Sequence, residues 1–262
     1  HAAATVGGLQ HVNQNKFNVL SENLLMSLSV LAIADHVGVE RVVTIGSACS
    51  YPPSPAPLRE RDFWEGAPHE SVESYGGYKR ALELLARQNT TWCAIHLPRA
   101  SLYGPGDTNL GTKAHVLTAL IEKVVRAKRT IGSMGPTSVT EGACIEAFSP
   151  DTRRELMYVD DAARAITQIA FTNDLPIGSP NGFVINIGTG EDHRIEELMA
   201  MVQRAAGVDI PVRWDSAQNT RGVHRKVLDT QRLEALLPDW KLTETIETGI
   251  AKTVRDFEAR LV

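Results

Sequence analysis

The sequence predicts an α/β fold built on a parallel sheet, and three observations lead there. Arg41-Val42-Val43-Thr44-Ile45 and Trp92–Leu97 are short runs rich in β-formers, each ending at a glycine or proline, and they read as buried strands. A segment with helical periodicity separates them, and such alternation of strand, helix and strand gives parallel pairing. Gly46-Ser47-Ala48-Cys49 and Ser101-Leu102-Tyr103-Gly104-Pro105 fall just past those strands, at the carboxyl edge where open α/β sheets build their sites.

Taken in order, residues 1–8 (HAAATVGG) read as a strand end entering a glycine-rich loop. From Phe17 to Val37 the residues Leu20, Leu24, Leu25, Leu28, Leu31 and Ala32 recur at three- and four-residue spacing, and His36 and Gly38 close that helix. Pro52, Pro53, Pro55 and Pro57 mark the stretch from Ser50 to Ala67 as a surface loop. A helix follows from Ser71 to about Asn89, and an amphipathic one over His115–Arg126. Residues 129–152 are loop-rich, with Gly132, Gly135, Pro136, Gly142 and Pro150. A short strand from Arg154 leads through Asp160 and Asp161, with a structural role at a helix start, into a helix over Ala162–Phe171. Phe183–Gly188 reads as a strand, and Gly188-Thr189-Gly190 as a sharp turn rather than a phosphate cradle. The helix Glu191–Ala206 carries Glu196 and Glu197 early, where they suit its dipole. The strand Val212–Trp214 and helical stretches 230–237 and 244–260 complete the chain.

Composition narrows the function classes. At 262 residues the chain can bury one large core or two small ones. A net charge of -4 with scattered basic residues argues against a nucleic-acid or acidic-membrane surface. Cys49, Cys93 and Cys144 form no close pair and no C-x-x-C, so neither a disulfide framework nor a metal site is expected, and a cytoplasmic location is. No apolar run of the length of a membrane span is read, and the chain opens on His1 without a signal peptide.

Tyr75 and Lys79 stand four residues apart, on one face of their helix. A phenol titrates near ~10, so deprotonating it at neutral pH costs about 4 kcal/mol, and a cation at ~4 Å in a partly screened site supplies roughly that much. Ser47 could hydrogen-bond the carbonyl or alkoxide that the tyrosine serves. An exposed tyrosine and a solvated lysine are the alternative.

With Leu102-Tyr103-Gly104-Pro105-Gly106-Asp107, Tyr158-Val159-Asp160-Asp161 and Asn186-Ile187-Gly188-Thr189-Gly190, these residues resemble the extended short-chain dehydrogenase/reductases that act on nucleotide sugars. Ala2-Ala3-Ala4-Thr5-Val6-Gly7-Gly8, Gly46–Pro52, His115–Leu120 and His224–Asp229 resemble motifs of their GDP-L-fucose synthase subgroup. The resemblance implies a Rossmann-like doubly wound parallel sheet with a smaller α/β substrate domain. It places residues 1–115, rejoined by about 155–189, in the dinucleotide-binding domain, and 116–154 and 190–262 in the substrate domain. The implied reaction inverts C3 and C5 of a GDP-linked 4-keto sugar and then reduces C4 with NADP(H). Cys49 and His115 would be the acid/base pair of the inversions. Tyr75 would polarise the ketone and protonate the alkoxide, assisted by Ser47, while Lys79 lowers the tyrosine pKa. Lys79, Ser101 and His115 would meet the cofactor. Lys123, Arg154 and Lys226 would hold the substrate diphosphate. A homodimer is implied, packed through the helices near 17–37 and 71–89.

The chain departs from the family in one large respect, since no G-x-G-x-x-G occurs in it. The expectation is an incomplete N-terminus, with the first βα units and their glycine loop upstream of His1. Smaller departures are Ala48, Ser101 and the 129–152 segment. Alternatives are a related GDP-sugar synthase, such as one making colitose, and a non-catalytic subunit of the same fold without cofactor.

Overall fold

The five-residue strand β1 (Arg41–Ile45) lies beside the parallel strand β2 (Cys93–Leu97), with Arg41 opposite Cys93 and Ile45 opposite Leu97. The computed structural model describes residues 1–134, 144–175, 182–215 and 222–261. On the far side of β2 runs the parallel β7 (Phe183–Val184). The backbone N of His1 donates to the Val43 carbonyl at 2.6 Å, and the His1 carbonyl accepts from Ile45 N at 3.1 Å. Residue 1 therefore borders β1, although residues 1–8 form no strand.

Side chains along this sheet alternate between two buried faces. Val42 and Ala94 join Tyr75, Tyr78, Leu82 and Val19 on one side, where α2 (Lys16–Val37) and α3 (Glu73–Gln88) pack together. Ile45, Cys93, Ile95 and Leu97 join Ala162, Ala165 and Ile169 of α5 (Val159–Phe171) on the other. Burial on both faces explains why β1 and β2 carry no polar stripe. A further core gathers α4 (Val116–Met134), α6 (Ile195–Ala206) and α8 (Ile246–Arg260) around Ile121, Val125, Leu198, Val202, Ile250 and Phe257.

The remaining strands are short. β3 (Ser101–Tyr103) pairs with β6 (Leu156–Tyr158), and β4 (Ile145–Phe148) with β9 (Val212–Asp215), both parallel. β5 (Arg153–Arg154) stands between β10 (Arg225–Lys226), parallel, and β8 (His193–Arg194), antiparallel. The short helices α1 (Leu9–Gln14) and α7 (Gln231–Leu236) complete the described elements.

Several elements differ from the sequence reading. Helix α4 continues to Met134 rather than yielding to loop near residue 129, because Gly132 costs it only about 1 kcal/mol; residues 135–143 lie outside the described residues. Helix α5 starts at Val159, so Asp161 sits inside its first turn and accepts from Thr243 N, Thr243 Oγ1 and Arg164. It ties α5 to the approach to α8. The strand expected over 183–188 pairs with β2 only at Phe183 and Val184, after which Ile187 bridges Arg99. Helix α2 is long and apolar enough, by length and composition, to cross a membrane, contrary to expectation. Its buried stripe is Val19, Asn23, Ser27 and Leu31. Two of those are polar and bonded: Asn23 exchanges two hydrogen bonds with Thr5, each 2.8 Å, and Ser27 meets Tyr78.

His96 is 2% exposed in the middle of β2, with Nδ1 2.8 Å from Thr44 Oγ1. Burial, and then the charge of Lys79, push its pKa down to about 3. An unfolded histidine titrates near ~6.5, so acid favours the unfolded chain. The neutral ring's contribution is complete above about pH 6.5 and is lost as pH falls toward 3. Urea unfolding across that window should show stability falling with acid. The fall should flatten in His96→Gln, and an equal slope in that variant would remove His96 as its source.

Candidate active site

A cavity of about 720 Å³ opens at the carboxyl edge of β1 and β2. Ser47, Cys49, Tyr75, Ser101, His115, Lys123, Arg154 and Lys226 all line it, and Lys79 does not. The loop Val6-Gly7-Gly8 forms part of the wall, fixed by the Thr5–Asn23 pair and by Gly8 N donating to Lys113 O at 2.9 Å, two residues before His115.

Ser47 follows β1 and opens a 3-10 turn over Ala48–Ser50, its Oγ accepting from Cys49 N at 3.1 Å. Helix α3 rests directly on that turn. A Cβ at Gly76 would sit 2.3 Å from the Cys49 carbonyl oxygen, so only glycine lets the helix bring Tyr75 this close to the cysteine.

The tyrosine and lysine do not form the pair their spacing suggests. Lys79 Nζ turns away and donates to the Ile45 carbonyl at 2.6 Å, 5.5 Å from the Tyr75 ring centre. Burial and the charge of Arg99 push the ammonium down to about 7. Tyr75, 6% exposed, is raised by burial to about 12, and the cation that pulls against this is Arg99. The expected lowering by Lys79 is therefore corrected, because desolvation of both groups outweighs a charge already spent on a carbonyl.

Lys226 also departs from its expected place. Its Nζ donates to Cys49 Sγ at 3.1 Å instead of standing free for a diphosphate. Burial is the largest influence on the thiol and acts upward. Lys226, Ser47 and Arg154 together outweigh it, so the thiol is held below its ordinary range. Arg154 is lowered by burial to about 10, with Cys49 acting against the shift; it keeps its charge at neutral pH and donates to the Arg153 carbonyl at 2.7 Å. Lys123 donates to the Glu146 carbonyl at 2.6 Å and lies over the Phe148 ring. Burial and Arg99 hold the His115 imidazole below its usual range, against the upward pull of Asp107.

Two cavity residues carried no functional reading from the sequence. Arg99 lies two residues past the end of β2, and a position just past a parallel strand was the available signal. Its backbone is fixed by Ala48 N donating to Arg99 O at 3.1 Å. Glu155, 3% exposed, accepts from Thr189 N at 2.6 Å, Gly190 N at 2.8 Å and Leu228 N at 2.8 Å. The Gly188-Thr189-Gly190 turn is thus filled by an internal carboxylate, and a Cβ at Gly188 would lie 2.4 Å from Glu155 Oε1. No local pattern ties residue 155 to residues 189 and 228.

Glu155→Gln replaces one acceptor oxygen by an N–H donor facing backbone donors, at a cost of about 1–3 kcal/mol. Chemical denaturation should register that loss, and unchanged stability would deny the carboxylate this linking role.

The sequence profile of the NAD dependent epimerase/dehydratase family matches residues 1–188. GDP-L-fucose synthase of Escherichia coli K12 is 28% identical over 263 residues, covering 98% of this chain and 78% of that protein. GDP-L-colitose synthase of Yersinia pseudotuberculosis is 28% identical, covering 98% and 80%. Among solved structures, a GDP-L-fucose synthetase from Naegleria fowleri superposes with a TM-score of 0.82 at 23% identity, over 100% of this chain and 76% of that one, a likeness of fold. With its Rossmann-like parallel sheet and a profile match over most of its length, the chain belongs to the NAD dependent epimerase/dehydratase family.

Proposed function

We propose that the protein is an NADPH-dependent nucleotide-sugar epimerase/reductase that converts a GDP-4-keto-6-deoxy-D-mannose-type sugar to GDP-L-fucose. The observation that carries this reading is the convergence of Cys49, Tyr75 and His115 on one cavity from three separate segments. The names of the relatives in E. coli and Y. pseudotuberculosis support the substrate class, a GDP-linked sugar, with colitose synthesis as the second reading.

Each residue has a task in such a reaction. Cys49 and His115 exchange protons with the carbons flanking the ketone, since a thiol and an imidazole both titrate near neutrality. The Tyr75 hydroxyl, protonated because its pKa is raised, donates a hydrogen bond to the keto oxygen and later its proton to the alkoxide. Ser47 offers a second hydroxyl beside it. Arg154 and Lys123 supply positive charge for a diphosphate.

The nicotinamide cofactor, when bound, supplies the hydride. The cavity residues fit its reactive end: Tyr75, Ser47 and Arg99 present polar groups beside the Val6–Gly8 loop. Ser101 and His115 line the same cavity. Lys79, bonded to Ile45, is a buttress beneath Tyr75 rather than a cofactor ligand as it stands. The chain carries no G-x-G-x-x-G to cradle a phosphate, and its Gly188-Thr189-Gly190 turn is occupied by Glu155.

Subunits pair through the exposed apolar face of α2, where Leu25, Leu28 and Ile33 are 66%, 48% and 64% exposed. Leu25→Glu should convert a dimer to monomer in sedimentation velocity, and an unchanged sedimentation coefficient would argue against this face.

Incubation of the protein with NADPH and GDP-4-keto-6-deoxy-D-mannose should oxidise the cofactor and yield GDP-L-fucose. Cys49→Ser should slow epimerisation by about 10²–10⁴-fold and spare reduction of substrate already epimerised. A full-length protein that neither binds nor oxidises NADPH sinks the enzyme reading, and equal loss of both steps sinks the role of Cys49.

A further inference from the structure

Lys226 and Arg154 are register partners on the parallel strands β10 and β5, so two cationic residues stand side by side at the cavity wall. Like charges placed as neighbours on a sheet repel and need a counter-ion. The sequence reading gave both to a diphosphate. The structure places a different partner between them: Cys49 Sγ accepts from Lys226 Nζ at 3.1 Å and feels the charge of Arg154.

The other groups facing that sulfur are few. Ser47 hydrogen-bonds it from the same turn, and Tyr75 faces it from α3, protonated at neutral pH. Glu155, next in sequence to Arg154, spends its carboxylate on the amides of Thr189, Gly190 and Leu228. The negative charge that balances the Lys226–Arg154 pair is therefore left to the sulfur.

We propose that Lys226 is a positioning residue for the reaction, its ammonium holding Cys49 as a thiolate so that the sulfur acts as the base of the epimerising pair. The proposal rests on the epimerase reading above. The carbon next to the ketone loses its C–H bond, the proton passes to Sγ, and the electron pair moves onto the keto oxygen. His115, its imidazole held below its usual range, takes a proton from solvent and passes it to the opposite face of that carbon, and the proton on Sγ returns to solvent. Backbone bonds keep the lysine in place: Glu155 N donates to Lys226 O at 3.1 Å, and Leu228 N is held by the Glu155 carboxylate.

The test needs no substrate. The full chain is alkylated with iodoacetamide across a pH series and read peptide by peptide, with the exposed Cys144 as reference in the same digest. Cys49 should have its alkylation midpoint at least one pH unit under the ~8.5 of an ordinary thiol. Lys226→Met should return that midpoint upward and slow labelling at pH 7 about tenfold relative to Cys144, the factor that one unit of pKa gives a thiolate fraction. Lys226→Arg, which keeps the charge, should retain the low midpoint. A wild-type midpoint at or above the ordinary value overturns the proposal, even if Lys226→Met does not fold. So does a folded Lys226→Met with an unchanged midpoint. Failure of NADPH oxidation would instead count against the enzyme reading and leave the alkylation result standing.

Discussion

The contact on which the site depends is that of α3 with the turn following β1. Residue 76 has no side chain, so the helix axis can approach until the Cys49 carbonyl fills the space a Cβ would occupy. That approach sets Tyr75 beside Cys49, and it also commits Lys79. A lysine one turn further along, on a helix this close to the sheet, has its ammonium over the end of β1, where the Ile45 carbonyl is the available acceptor. Proximity of the helix therefore gives the site its tyrosine and withdraws its lysine.

Desolvation governs the electrostatics that follow. Burial is the leading influence on Tyr75, Lys79, His115, Arg154 and Cys49 alike, and in each it favours the neutral form. Only at Cys49 do neighbours reverse the outcome, because a direct ammonium contact, a hydroxyl and a guanidinium act together on one small atom. The result is a site whose phenol holds its proton and whose thiol gives its proton up readily. The proposed reaction would use those opposite states, one for ketone polarisation and the other for carbon deprotonation.

Glu155 links this chemistry to the fold. Its carboxylate joins the strand carrying Arg154, the turn at Thr189 and Gly190, and the segment after Lys226. Burial raises it to about 7 even with those backbone donors. A hydrocarbon there would leave three amides without acceptors, the larger penalty.

Periodicity and strand-end position determined the α/β class, the two-sided burial of β1 and β2, and the segments that reach the cavity, because these depend on local pattern and on the geometry of parallel sheets. The motif residues carried the resemblance that gave Cys49, Tyr75, His115 and Arg154 their roles, and all four line the cavity. Tertiary structure alone decided which cation serves which group. Lys79 and Lys226 are chemically equivalent in a sequence, yet one ends on a backbone carbonyl and the other on a sulfur. Arg99 and Glu155 take their places through backbone contacts to residues 48, 187, 189 and 228. A long flexible side chain goes to whichever acceptor the packed backbone leaves within reach. That acceptor is a property of segments distant along the chain, and no local spacing encodes it.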